Sequence, residues 1–432
     1  MDNGTVTAER SIFDRPVDVP EELRQAARDK GWPDGLLERA LELRMARADI
    51  DFWLTRDRHT VEDIQKHLDR KERLMFGTIR VREATWNDDE AVVELYANSP
   101  EEIGEWEVTV ERSPFPFAQF RLQERANIQV LEDRGVLLSV WAHSVRNTFV
   151  GGKRISVHVS SAMRVRKECR GQGYSHLIRM AAGPACTWYG MGNFYYIRSQ
   201  NFGAFDWIKS INPEAVASEP ERAGDVPGRS VTVHYFPKRP FDGDASGIRL
   251  ARRSDTRRCM RLINRTHRGL DLFRPYSEEY LQGKLDDPCW GPKPQFWPAV
   301  YGWQDYYVLQ EGGRIVACAG LWDKGKHVRE VWRHKVSGER RVIESTALLD
   351  FGYADGREDA MARLIGYLIG VTDDLGRDHL MASLEFLPSL AERLETYEPV
   401  AETRALHWQM EDERGEPVDV KLARPYTDLA YW

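Results

Sequence analysis

No run in this chain approaches the roughly 20 apolar residues of a membrane-crossing helix. Its opening, MDNGTVTAER, is polar and offers no apolar core for a signal peptide, so the expected setting is cytoplasmic. Cysteine is scarce. The five residues Cys169, Cys186, Cys259, Cys289 and Cys318 are odd in number and scattered, with no C-x-x-C pair. That argues against a disulfide framework or a zinc clip and leaves reduced thiols and no metal as the expectation. Positive charge is also short, for 61 Lys and Arg against 68 Asp and Glu leave a net charge of −7. A broad footprint for nucleic acid or anionic membrane is disfavoured, and a small-molecule partner is expected, with the protein a monomer or homodimer.

What is present suits packed cores: 42% of residues are apolar and 30% charged. At 432 residues the chain exceeds the size at which a single core stops growing, so two domains are expected. Residues 1–75 are expected to form a helical extension. Pro20 opens one helix, Gly31 interrupts, Pro33 reopens, and Thr60 with Asp63 makes a capping-box-like start for a third. Leu36, Leu37, Ala40, Leu41, Met45 and Ile50 share a helical face that should pack on the neighbouring domain.

From Gly77 the pattern becomes strand, helix, hairpin (turning at Asp133-Arg134-Gly135), long strand over Lys153 to Val165, helix, strand over Phe194 to Ser199, helix, and strand over Ser230 to Phe236. This is an α/β unit with a mixed sheet, spanning 76–238. Residues 239–247, rich in Pro, Gly and Asp, read as a linker. A second unit, 248–432, repeats the order. Its opening Gly247-Ile248-Arg249-Leu250-Ala251, followed by a helix, repeats Gly77-Thr78-Ile79-Arg80-Val81-Arg82 ahead of the first unit's helix, and a hairpin turns at Gln310 to Gly313. A whole-domain duplication is inferred.

Residues 163–178 read Met-Arg-Val-Arg-Lys-Glu-Cys-Arg-Gly-Gln-Gly-Tyr-Ser-His-Leu-Ile. A pyrophosphate needs converging backbone N–H donors with no side chain in the way, which a glycine-rich turn at a helix N-terminus provides. Arg170 adds a permanent charge. The segment resembles the acyl-coenzyme A signature of the GNAT (Gcn5-related N-acetyltransferase) superfamily, R/Q-x-x-G-x-G/A after a strand ending in Val. Arg170, Gly173 and Ser175 hold the defining positions, with Ser in place of the usual Gly or Ala, and Val165 lies five residues before the arginine. Asn201-Phe202-Gly203-Ala204 also matches the family's N-x-x-A.

The resemblance implies a tandem GNAT protein that binds acetyl-CoA, or another acyl-CoA, and transfers the acyl group to a small-molecule amine. The cofactor would be held by Met163, Arg164, Val165, Arg170, Gly171, Gln172, Gly173, Tyr174, Ser175 and Asn201. Its pantetheine arm would enter where the strands Lys153 to Val165 and Phe194 to Ser199 splay, with backbone near Met163 stabilising the oxyanion. His158 is the candidate base on that strand, against the alternative of an ordinary hydrogen-bonded histidine. It stands five residues from Met163, so a bulge is needed to bring both to one face. The family's usual tyrosine acid falls on Ile208 here, leaving Tyr195, Tyr196 or Ser199 as substitutes, or a thiolate that leaves unprotonated.

In the second unit the corresponding turn carries Asp355, Glu358 and Asp359 and no R-x-x-G-x-G, so this half should be degenerate and bind no cofactor. Trp290, Trp297, Tyr301, Trp303, Tyr306, Tyr307, Trp322 and Trp332 fit either a core or a pocket for a bulky acceptor. Two other functions compete. A non-catalytic acyl-CoA sensor would keep the turn and lose the proton-transfer groups. An aminoacyl-tRNA-dependent transferase would need basic RNA surface and dispense with the turn.

Overall fold

The computed structural model describes residues 20–33, 35–43, 50, 54, 60–123, 126–170, 172–181, 191–198, 228–286, 300–410, 422, 424–427 and 429. Three helices come first, α1 (Glu21–Asp29), α2 (Leu36–Glu42) and α3 (Val61–Phe76). The first half continues with β1 (Ile79–Glu83), α4 (Asp89–Ala97), β2 (Glu101–Ile103), β3 (Trp106–Arg112), β4 (Ala126–Asp133), β5 (Val136–Val150), β6 (Lys153–Val165), α5 (Tyr174–Ala181), β7 (Met191–Arg198) and β8 (Gly228–Pro237). The second half holds β9 (Ile248–Leu250), α6 (Thr256–Thr266), α7 (Glu278–Asp286), β10 (Tyr306–Glu311), β11 (Arg314–Trp322), β12 (Val328–His334), β13 (Arg340–Ile343) and β14 (Ser345–Tyr353). It ends with α8 (Glu358–Asp374), β15 (His379–Ala382), α9 (Pro388–Leu394) and β16 (Val400–Met410).

Both halves feed one twelve-stranded sheet, ordered β1-β4-β5-β6-β7-β16-β8-β15-β14-β11-β10-β9. Counted inward from either edge the order is the same, except that the last strand of each half has changed sides. β8 pairs with β15 of the second half, β16 pairs with β7 of the first, and the two meet antiparallel at the centre, Val400 opposite Tyr235 through His407 opposite Gly228. The strand expected to close the first unit at about residue 238 thus lies in the sheet of the second. Two parallel pairs, β6 with β7 and β14 with β15, are joined through the crossovers carrying α5 and α8. A second, four-stranded sheet, β13-β12-β3-β2, clips a hairpin of one half to a hairpin of the other.

The duplication recurs in atomic detail, which fixes its register. Arg82 grips Asp88 through Nη1 to Oδ2 (2.8 Å) and Nη2 to Oδ1 (2.7 Å); Arg249 grips Asp255 at 2.7 and 3.3 Å. Arg249 therefore corresponds to Arg82 rather than Arg80. In each half the gripped aspartate caps the helix start, accepting from the backbone N–H of Thr85 (2.7 Å) or Arg252 (2.9 Å).

The extension has a core of its own. Leu36, Leu37, Ala40 and Ile50 bury themselves against Leu23, Ala27, Ile64 and Leu68 of the same extension rather than on the neighbouring domain. The aromatics sort in a similar way. Tyr301, Tyr306 and Trp322 are fully buried in a cluster that also holds Val157 and Val159 of β6, while Trp290 and Trp297 lie outside the described residues. Trp303 and Tyr307 are half-buried against the cores and Trp332 is half-buried in the four-stranded sheet, so the three fully buried members give no reason to expect a bulky acceptor.

Each half carries one bulge on the strand before its crossover helix. On β6, Trp141 alone faces Ala162 and Met163, between the pairs Ala142–Ser161 and Val140–Arg164, and Ala162 has φ of 52°. On β14 the register slips between Leu349 and Gly352, and Asp350 has φ of 48°. The contents differ. The Asp350 carboxylate, 1% exposed, accepts from Lys284 Nζ (2.7 Å), Tyr276 Oη (2.5 Å) and Tyr301 Oη (3.1 Å). Beside it, Gly352 lets α6 cross in contact with β14, since a Cβ there would lie 2.4 Å from Ile263 N and Leu262 C.

Two outcomes follow for unfolding in urea. Lys284→Met strands a buried carboxylate and should cost about 3–5 kcal/mol. Gly352→Ala forces α6 off the sheet and should cost about 3 kcal/mol, whereas Gly338→Ala, in an open turn at φ of 70°, should cost only about 1. An unchanged midpoint in Lys284→Met, or equal losses in the two alanine variants, would contradict these assignments.

Candidate active site

The site begins where β6 and β7 part. Their ladder runs from Ser156–Met191 to Ser160–Tyr195 and stops, although β6 continues to Val165 and β7 to Arg198. Ser161 to Val165 and Tyr196 to Arg198 thus line two diverging backbone edges, a gap shaped to take an extended arm by strand addition. The bulge sits at the mouth of this gap and disturbs the ladder on its other side. It is braced by Tyr96 of α4, whose hydroxyl donates to Ala162 O (2.5 Å), and by Ser139, whose hydroxyl donates to Arg164 O (2.8 Å). Arg164 lies 5.3 Å from the centre of the Tyr96 ring and forms an ion pair with Glu101.

The bulge meets the condition required of His158. The extra residue puts His158 and Ser160 on the same face as Met163 and Val165, the face on which Trp141 packs with Tyr174, Leu177 and Ile178 of α5. Trp141 Nε1 donates to Ser160 Oγ (2.6 Å) at the last rung before the gap. His158 is 2% exposed, with its ring centre 5.8 Å from that of Trp141 and 4.9 Å from that of His143.

After Val165 the chain makes a short 3-10 turn over Lys167–Cys169, then turns again through Gln172 and Gly173 into α5. Gly173, at φ of 81°, holds a conformation that favours glycine. The first bond of the helix runs from Leu177 N to Gly173 O (3.0 Å), so the N–H groups ahead of it have no acceptor within the helix and point at the turn. Gln172 braces the turn through Nε2 to Glu168 O (2.8 Å). Arg170 does so too, donating from Nη2 to Pro100 O (2.9 Å) and from Nε to Val165 O (3.4 Å). Partial burial, and then the neighbouring Arg164 charge, lower its guanidinium. Arg170 therefore fixes the turn as well as charging it. Burial, then Glu168, pushes the Cys169 thiol up, which disfavours the reactive thiolate.

Met163, Arg164, Val165, Arg170, Gln172, Gly173, Tyr174 and Ser175 thus come together around one turn and one gap. The backbone of Tyr196 is the first of β7 beyond the last β6 pairing. Gly171, Ser199, Asn201 and Ile208 lie outside the described residues. Sequence reasoning gave Tyr96 no role, and it expected α3 as a helix without placing it over the turn. Tyr96 sits on the apolar side of α4 with Val92 and Leu95, and nothing in that spacing marks its hydroxyl.

The equivalent place in the second half keeps the architecture and lacks the vacancy. β14 and β15 part beyond Ala347–Met381, but the bulge is occupied by Asp350 and its three partners. At the start of α8, burial raises the Asp359 carboxyl, yet the Arg357 hydrogen bond and the N–H groups of Ala360 and Asp359 outweigh it and lower the carboxyl overall. Arg357 is itself paired with Glu311 and Asp359. The helix start is thus capped by its own acid, whose charge opposes a second anion.

Among the described residues no group of His, Cys, Asp and Glu is arranged to hold a metal, and no helix is long and apolar enough to cross a membrane. No protein-family model matches the chain, and no curated protein sequence does. Solved structures do. Two of Saccharomyces cerevisiae N-myristoyltransferase, with bound myristoyl-CoA, are similar at 10% identity over 77% of this chain and 79% and 82% of theirs, each with a TM-score of 0.51. A GCN5-related N-acetyltransferase from Sphaerobacter thermophilus is similar at 14% identity over 82% of this chain and 98% of its own, at a TM-score of 0.42, too low to carry weight. N-myristoyltransferase is itself a GNAT-fold enzyme. With the splayed parallel pair, the bulge and the glycine turn in their family places, the chain has the GNAT fold, built as two tandem halves.

Proposed function

We propose that the first half binds an acyl-CoA, acetyl-CoA being the donor its motif suggests, and transfers the acyl group to an amine without an enzyme-bound intermediate. The observation that carries this is the coincidence of the glycine turn at the N-terminus of α5 with the gap between β6 and β7 and the bulge at its mouth. The turn suits a pyrophosphate, the gap an extended pantetheine arm, and the bulge an oxyanion. The amine nitrogen would attack the thioester carbonyl, the carbon–sulfur bond would break, and coenzyme A would leave as thiolate or thiol. His158 is the proposed acceptor of the amine's proton, since it shares the face of Met163, and Tyr196 or Ser199 the proposed donor to sulfur. The second half would serve as scaffold.

Calorimetry on the full chain should find one coenzyme A site, with affinity lowered at least about 100-fold in Arg170→Glu, which loses both braces and adds a like charge. Two sites, or unchanged affinity, would refute the assignment. Release of free thiol from acetyl-CoA with a panel of small amines should distinguish an enzyme from a sensor. The N-myristoyltransferase structures hold myristoyl-CoA on the same fold, so the donor series should extend to that length. His158→Ala should slow turnover about 10²- to 10⁴-fold and leave coenzyme affinity nearly unchanged. A rate equal to that of the parent protein would move the base elsewhere.

A further inference from the structure

The turn at Gly173 has a second wall, supplied by the helical extension. A Cβ on Gly173 would lie 3.3 Å from His67 Nδ1 and 3.4 Å from Arg70 Nη1, both on α3. Arg70 stretches over Tyr174, the first residue of α5, with its guanidinium carbon 5.3 Å from the ring centre. Arg73, one turn further along α3, reaches the Tyr174 hydroxyl (3.5 Å) and is held by Asp133 (3.0 Å). Arg70 is only 6% exposed, and among the described residues no carboxylate forms an ion pair with it. Burial lowers its guanidinium, although Tyr174 and the Asp69 charge favour the charged form. A largely buried cation with no ion-pair partner gains from an anion brought beside it. Here it lies against a helix N-terminus whose first N–H groups have no acceptor within the helix.

We infer that Arg70 is a phosphate ligand of the coenzyme, contributed by the extension, so that the phosphates are held between the start of α5 and the Arg70 side of α3. This rests on the acyl-CoA reading above and extends it. Arg170 turns its guanidinium back onto Pro100 O and Val165 O, whereas Arg70 Nη1 lies against Gly173 at the turn itself. The extension is then part of the coenzyme site.

The test is calorimetry on the full chain with three probes, coenzyme A, 3′-dephospho-coenzyme A and phosphate-free pantetheine, against the parent protein, Arg70→Gln and Arg70→Met. The methionine keeps a long side chain over Tyr174 and removes only the charge. Both variants should lose about 10- to 100-fold in affinity for coenzyme A and nothing for pantetheine, as expected for charge-assisted hydrogen bonds. A loss confined to coenzyme A would assign Arg70 to the 3′-phosphate; a loss shared with the dephospho form would assign it to the pyrophosphate. If one variant fails to fold, the other decides. An unchanged ratio of coenzyme A to pantetheine affinity overturns the inference, as does an equal loss for all three probes, which would mean Arg70 merely packs the turn. If the parent protein binds no coenzyme A, the acyl-CoA reading itself fails.

Discussion

The antiparallel pairing of β8 with β16 holds the two halves in one sheet. Each strand leaves its own half, completes the other's sheet, and meets its counterpart at the centre. Neither half can then satisfy its backbone alone: β7 needs β16 on one side, and β15 needs β8. The β13-β12-β3-β2 sheet adds a second bridge between the halves. The exchange also bears on the site. With its far edge paired to β16 from Gly192 to Arg198, β7 is held firmly while its near edge departs from β6 after Tyr195. A gap kept open between two rigid strands suits an incoming extended arm better than a flexible one, because less ordering remains to be done on binding.

The same framework, used twice, has diverged at two small places. In the first half the bulge residue is Ala162, with a small side chain, and the helix start carries glycine and no acid. In the second the bulge residue is Asp350, neutralised by Lys284 and two tyrosines, and the helix start carries Glu358 and Asp359. A buried ion pair is a poor stabiliser compared with apolar packing of the same volume, yet expensive to break. Opening the second half at this point would therefore require replacing both Asp350 and Lys284.

The parts of this account legible in the sequence are those whose chemistry is local. The turn ahead of α5 was legible because Gly173 and a helix start fall within a few residues of each other. The bulge on β6 was required by the odd spacing of His158 and Met163. The degenerate turn was visible in Asp355, Glu358 and Asp359. What escaped was set by tertiary contact. Ser230 to Phe236 alternates like any half-buried strand, and its pattern is the same whether it pairs with β7 or β15. The repeated opening was visible, but its register is set by the carboxylate six residues ahead, Asp88 for Arg82 and Asp255 for Arg249, a pairing that only the fold displays. Arg70 is one of several basic residues on a helix with an apolar stripe, and only the fold reveals which of them meets Gly173.

The central claim is that one half of a duplicated fold receives the coenzyme and the other is closed to it. Hydrogen exchange of the full chain with and without saturating acetyl-CoA tests this most directly, because it reads both halves in one experiment. Slowed exchange should appear in peptides covering residues 161–165 and 172–178, with none over 348–360. Protection over 348–360, or no protection in either segment, would contradict the account.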